Sequence, residues 1–304
     1  MTATQKNRWL LAACLCLIAL FLVFGDTVAE AVRGALHLCA RTVIPALFPL
    51  LVLSALLTPL LADLRFPGEA LFERLFHLPR VGLSAFLLGA VCGFPIGART
   101  AADLCRCGLI TKGEGERLAS LSANTGPAFA VLAVGKGLFG SLRIGLILYV
   151  TQLVGAILLA LPEARKEKRR GITLSGNGHS LRQSPSLPDI LYRSSLTMLS
   201  VTGTVLFFAA LTSLFSFFLP KSLAALGAAV LEVSNGCAAA ATLPAALGIP
   251  LAAFAISFSG ASVLLQSAAE LSPAGIPLGR FVRRKLYQGL LAAAIALLLC
   301  PFLL

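Results

Sequence analysis

The chain has 304 residues, 58% of them hydrophobic and 12% charged, with a mean hydropathy of +0.90. These values exclude an ordinary soluble domain and point to a polytopic membrane protein. The net charge of +12 does not argue for nucleic acid, because the basic residues gather beside apolar runs and no nucleic-acid module accompanies them.

Lys6 and Arg8 precede an apolar run at 9–24, and Ala29-Glu30-Ala31 follows it. That is also the grammar of a secretory leader. In a chain that is polytopic throughout, residues 1–30 read as a retained transmembrane helix or uncleaved signal anchor, running outward over 9–28. A second helix at 35–62 returns inward, bent by Pro45 and Pro49. Residues 63–80 hold three acids and three bases, with Leu71, Phe72, Leu75 and Phe76 at helical spacing. They predict a short amphipathic helix on the membrane surface.

The block 81–108 is interrupted by Gly93-Phe94-Pro95-Ile96-Gly97. Each arm is too short to span a bilayer, so the block predicts a re-entrant hairpin. Residues 118–138 cross outward with a break at Asn124-Thr125-Gly126-Pro127, and 142–161 cross back. Residues 163–193 carry seven bases and several glycines and prolines, and form a basic cytoplasmic linker. The remainder repeats the pattern upside down: a helix at 195–219, a hairpin at 221–248 turning at Ser234-Asn235-Gly236, a broken helix at 250–270 interrupted at Ser257-Phe258-Ser259-Gly260, and a helix at 281–304.

The predicted fold is all-α: one extra transmembrane helix, then an inverted repeat of helix, re-entrant hairpin, broken helix, helix. The repeats are 31–162 and 194–304. This topology puts 19 basic residues inside and four (Arg33, Lys136, Arg143, Lys221) outside, with Arg41 and Arg99 in the membrane. The positive-inside rule asks for such a split. The N-terminus is then cytoplasmic and the C-terminus outside.

Bare backbone at membrane depth survives only inside protein or beside a wet cavity. Paired breaks in two halves therefore point to a transporter's binding site. Half-helix N-termini suit anions, and carbonyl-rich C-terminal ends suit cations. The candidate substrate-binding residues are Gly93, Pro95, Gly97, Arg99, Asn124, Thr125, Gly126, Ser234, Asn235, Gly236, Ser257, Ser259, Gly260 and Gln266, with Ser262 beside them. The serines and asparagines could equally satisfy broken backbone or join helices. Arg99 could grip a carboxylate, or pair with Asp103 four residues on. Glu232 could hold a coupling proton or Na+, or pair with Arg99 or Arg41.

Gly89, Gly93 and Gly97 also form a small-residue row, but Pro95 within it favours a hairpin over a straight packing helix. Gly135-Lys136-Gly137 lacks the ending of a phosphate loop. The eight cysteines lie mostly in apolar stretches without a C-x-x-C pair, and His37, His77 and His179 show no ligand spacing. No catalytic or metal motif is present, so neither an enzyme nor a cofactor is expected.

Three segments carry a resemblance: Cys92-Gly93-Phe94-Pro95-Ile96-Gly97-Ala98, Leu109-Ile110-Thr111-Lys112-Gly113-Glu114-Gly115-Glu116 and Asn124-Thr125-Gly126-Pro127-Ala128-Phe129. Leu231-Glu232-Val233-Ser234-Asn235-Gly236-Cys237 and Ser257-Phe258-Ser259-Gly260 add to it. Over roughly 35–300 the chain resembles the sporulation integral membrane proteins of the YlbJ/SpoVV type, in the nucleoside-recognition (Gate) group. It departs at Ser122-Ala123-Asn124-Thr125, where the family pattern has paired asparagines. The resemblance implies an architecture like that of concentrative nucleoside transporters, and movement of dipicolinic acid into the developing spore across the outer forespore membrane; the expected location is that membrane or the cytoplasmic membrane. An ion-coupled nucleoside transporter and a non-transporting scaffold of a sporulation membrane complex are the alternatives. The expected partners are a small solute and the lipid bilayer, and a homo-oligomer is compatible with either.

Overall fold

The computed structural model describes residues 3–63, 67–169 and 186–302. Every regular element among them is helical. Much of the surface is apolar: Leu15, Leu22, Leu199 and Leu298 are each more than half exposed. Side chains of that kind on long helices belong against lipid, and the chain is an integral membrane protein. Among the described residues three helices are long and apolar enough to cross a membrane (Leu142–Lys168, Leu187–Ser213 and Ala245–Ala274), with a bent N-terminal pair as a fourth.

That pair departs from expectation. Helix α1 (Ala3–Val23) meets α2 (Gly25–Leu38) at Phe24, where the axis turns by 91°. The Phe24 ring lies 4.5 Å from that of Phe217 and 5.8 Å from that of Phe218, so aromatic packing holds the corner. No loop follows near residue 31. Ala29-Glu30-Ala31 sits inside α2, and the chain continues through a π-helical turn (Cys39–Val43) into α3 (Ile44–Asp63). Ala, Glu, Val and Leu favour helix across 28–38, and the lone Gly34 does not stop it. The π turn lies just before Pro45, whose missing N–H leaves the ladder without a donor.

Helix α4 (Glu69–Phe76) forms as expected, but its buried side is Phe72 and Phe76 alone, whose rings lie 5.0 Å apart and tilt against Phe86 at 6.3 and 6.4 Å. Leu71 and Leu75 face outward. Helices α5 (Gly82–Cys92) and α6 (Ile96–Arg106) flank Gly93, which takes φ 83°, a backbone that glycine allows. They fold back on each other: a Cβ added to Gly89 would come within 3.1 Å of the Gly97 Cα. Helix α7 (Lys112–Ser122) starts earlier than predicted because Thr111 and Glu114 form a capping box, with Thr111 N donating to Glu114 Oε2 at 2.7 Å. Residues 123–126 are unwound, and a π-helix (Ala128–Leu138) follows Pro127.

Helix α8 (Leu142–Arg169) runs through Pro162 into the predicted linker, because 163–169 are strong helix formers. The far end of the linker is also helical: α9 (Leu187–Ser213) begins at Ser186, whose hydroxyl caps Asp189 N. Residues 170–185 of that linker lie outside the described residues. After the single turn α10 (Phe215–Phe218), α11 (Lys221–Leu231) and α12 (Val233–Ala241) form the second hairpin. Its break falls at Glu232, ahead of the predicted Ser234–Gly236, which lie in the first turn of α12. The hairpin also ends earlier than 248, since α13 (Ala245–Phe258) starts at Pro244 and carries Pro250 inside it. Helix α14 (Gly260–Leu271) follows a break at Ser259, φ 75°, and α15 (Gly279–Leu299) closes the fold.

Among the described residues the two largest hydrophobic clusters form the cores, and two smaller ones pack α9 against α2 and α3. One core joins α4–α7 to Leu271, Ile276 and Phe281. The other joins α12, α13 and α15 to Ala130, Val134 and Leu148. Each core draws on both halves of the sequence.

Candidate functional site

The first hairpin tip packs on the first break. A Cβ on Gly93 would meet Gly126 N at 2.6 Å, and one on Gly97 would meet Ser122 O at 2.2 Å. Only glycine admits backbones this close. Ser122 Oγ donates to Gly97 O at 3.2 Å. The backbone groups left without a helical partner at the buried ends of α7 and the π-helix are met by side chains from α8 and α15. Thr125 N donates to Gln152 Oε1 at 3.0 Å, and Gln152 Nε2 donates to Thr125 O at 2.7 Å. Asn124 Nδ2 donates to Leu121 O at 2.7 Å and its Oδ1 accepts from Gln288 Nε2 at 2.9 Å.

The second hairpin meets the second break in the same manner, with Gly260 about a methyl group from Glu232 and Val233 (3.1 to 3.2 Å for an added Cβ). Here a carboxylate does the capping. Glu232 is 2% exposed and accepts from Asn235 N at 2.7 Å, at the N-terminus of α12. Asn235 Nδ2 donates to Thr212 Oγ1 on α9 at 3.0 Å. The hydroxyls of Ser257, Ser262 and Ser267 are buried without a hydrogen-bond partner among the described residues. The two junctions touch: Thr125 Oγ1 donates to Ile256 O at 3.2 Å.

Two cavities of similar size lie along α9. The first, about 670 Å³, is lined by Thr212, Lys221, Glu232, Ser234, Asn235 and apolar residues of α2 and α11. The second, about 690 Å³, lies toward the start of α9 and is lined by Thr58, Arg99, Asp103, Arg106, Arg193, Thr197, Ser200, Gln266 and Glu270. Both volumes suit a small solute. Val201 lines one and Val205 the other, a separation of about one helical turn. Between them Gln266 Nε2 donates to Thr204 Oγ1 at 2.8 Å.

The second cavity is rich in guanidinium. Asp103 is held by Arg106 at 2.6 Å, and Glu270 accepts from Thr197 at 2.6 Å. Arg99, 5% exposed, has only a longer contact with Asp103, 4.0 Å, and donates to Ser194 Oγ at 3.3 Å. Arg193 is exposed and forms no ion pair among the described residues.

Of the candidate residues, Arg99 and Gln266 line the second cavity, and Glu232, Ser234 and Asn235 the first. Gly93, Pro95, Gly97, Asn124, Thr125, Gly126, Gly236, Ser257, Ser259 and Gly260 line neither and are buried at the junctions. Glu232 forms no ion pair with Arg99 or Arg41 among the described residues; its partners are the α12 backbone and the Ser234 side chain. The sequence reading missed Gln152, Arg193, Thr204, Thr212, Lys285 and Gln288. Gln152 had a visible signal, a lone amide in the middle of an apolar run. Arg284 and Lys285, counted among the basic residues on the inner side, are buried on α15.

The chain is 28% identical over 320 aligned positions to the sporulation integral membrane protein YlbJ of Bacillus subtilis (strain 168), covering 89% of this chain and 77% of that protein. No family model matches the chain, and no solved structure matches it.

Proposed function

We propose that the chain is a transporter of a small anionic solute in the membranes of spore formation, working by alternating access. The observation that carries this reading is the pair of similar cavities at opposite ends of α9, separated by about one turn and a single side-chain hydrogen bond. Such a layout needs only a small tilt of packed elements to expose a central site to either side. In this reading the arginine-rich cavity faces the cytoplasm, as the basic linker and the positive-inside rule favour, and the Glu232 cavity faces outward. The two hairpins are re-entrant and the two halves are inverted repeats.

Arg99 and Arg193 supply the anion selectivity. The cavity's carboxylates have closer partners, Asp103 in Arg106 and Glu270 in Thr197, so a planar dicarboxylate can take two-pronged contacts from the two guanidinium groups. Dipicolinic acid is the solute we propose, supported by the likeness to a sporulation protein together with this charge pattern. Glu232 is proposed to carry a coupling proton or cation. The reading involves no bond-breaking chemistry.

The test is uptake of labelled dipicolinate by proteoliposomes holding the full chain. Uptake above empty vesicles, competed by unlabelled dipicolinate, is expected. Competition by nucleosides instead would change the solute to a nucleoside. No uptake by folded protein, with partner contacts intact, would leave a scaffold.

A further inference from the structure

Lys285 lies on α15 with its side chain 1% exposed. Its Nζ donates to Ala123 O at 2.7 Å and to Gln288 Oε1 at 2.8 Å. None of the ion pairs among the described residues includes it. The neighbouring Arg284 does have a carboxylate, donating from Nε to Glu163 Oε1 at 2.6 Å. A buried ammonium with no carboxylate is costly unless something else offsets it.

What faces Lys285 is the carbonyl end of a broken helix. Ala123 is the C-cap of α7, where the partial negative charge of the helix collects. Unwound carbonyls and half-helix C-terminal ends are where membrane proteins coordinate small cations. The surrounding amides are oriented for this. Gln288 Nε2 donates to Asn124 Oδ1 and to Gln152 O, both at 2.9 Å, which turns its own oxygen toward Nζ. Asn124 and Gln152 satisfy Leu121 O and Thr125 O, both at 2.7 Å. Ala123 O is left to the ammonium.

We propose that Lys285 is a resident cation of the first helix break, occupying the carbonyl end of α7 in place of a bound monovalent ion, so that its removal opens a monovalent-cation site there. The proposal does not depend on which solute is carried, or on transport.

The experiment is thermal unfolding of the purified full chain, its Lys285→Ala variant and its Lys285→Met variant. Each is measured in choline chloride, sodium chloride and ethylammonium chloride at one ionic strength. The unsubstituted protein should unfold at the same temperature in all three salts. Lys285→Ala should unfold several degrees lower in choline and recover saturably in sodium or ethylammonium, since a ligand that binds only the folded state stabilises it. Lys285→Met should unfold lower in every salt, because the thioether fills the space without charge. An Ala variant indifferent to the cation, or a Met variant as stable as the unsubstituted protein, would overturn the proposal. If the Ala variant does not fold, the Met comparison decides.

Discussion

At the first break, Ala123 O and both backbone groups of Thr125 are met by Lys285 and Gln152, and glycine contacts press the hairpin tip onto the unwound segment. At the second break, one carboxylate caps α12, the hydroxyls of Ser257 and Ser262 have no partner among the described residues, and a cavity opens at the hairpin. Buried polar groups that are fully satisfied make a rigid feature, whereas partly satisfied ones mark a place that can change. The first junction therefore reads as a fixed frame and the second as the responsive one. The same arrangement, a hairpin tip on a broken helix, is held together in two different ways.

The comparison breaks most readily at the glycines. A Gly89→Ala methyl would sit 1.9 Å from Ser122 O, with only backbone to yield. Expected is a loss above about 3 kcal/mol, read as absence of a folded peak in size exclusion. Gly113→Ala, with open space around it, should be neutral or stabilise by up to about 1 kcal/mol. Next comes Gln152→Ala, which strands Thr125 N and O; about 2–4 kcal/mol should be lost in chemical unfolding, with no matching loss for Ser262→Ala.

Smaller effects sharpen the functional half of the contrast. Arg99→Gln should lower dipicolinate uptake about tenfold, equivalent to about 1.4 kcal/mol, while the melting temperature moves little, since its contacts within the protein are long. Glu232→Gln retains an oxygen for Asn235 N, so stability should change by less than about 1 kcal/mol. Uptake should nonetheless fall if the second junction is the responsive one. Unaltered uptake would make Glu232 a cap and nothing more.

The glycine-marked breaks were readable because glycine and proline are strong punctuation in an apolar run. Ser259 and Gly93 fall where the sequence put them. Glu232 did not, because a glutamate at an N-cap is an uncommon stop signal and Ser234-Asn235-Gly236 looks like a better turn. The corner at Phe24 was hidden for another reason: it rests on the rings of Phe217 and Phe218, far away in sequence. The extension of α7 to Lys112 was written in Thr111 and Glu114, a local capping signal outside the apolar run. The cavities were the least readable part. Arg193 and Thr204 belong to α9, and only packing brings α9 against both hairpins.

That helix is 27 residues long, about 40 Å from end to end. It is a common wall for both chambers, with Thr204 about two thirds of the way along it, where the two chambers adjoin. A rigid rod pivoting there behaves as a seesaw: a tilt that widens one chamber narrows the other. Opposite changes in volume at the two ends would then follow from stiffness alone, with no signal passed between them. Spin-label distances across each end, measured in one sample, should move in opposite senses.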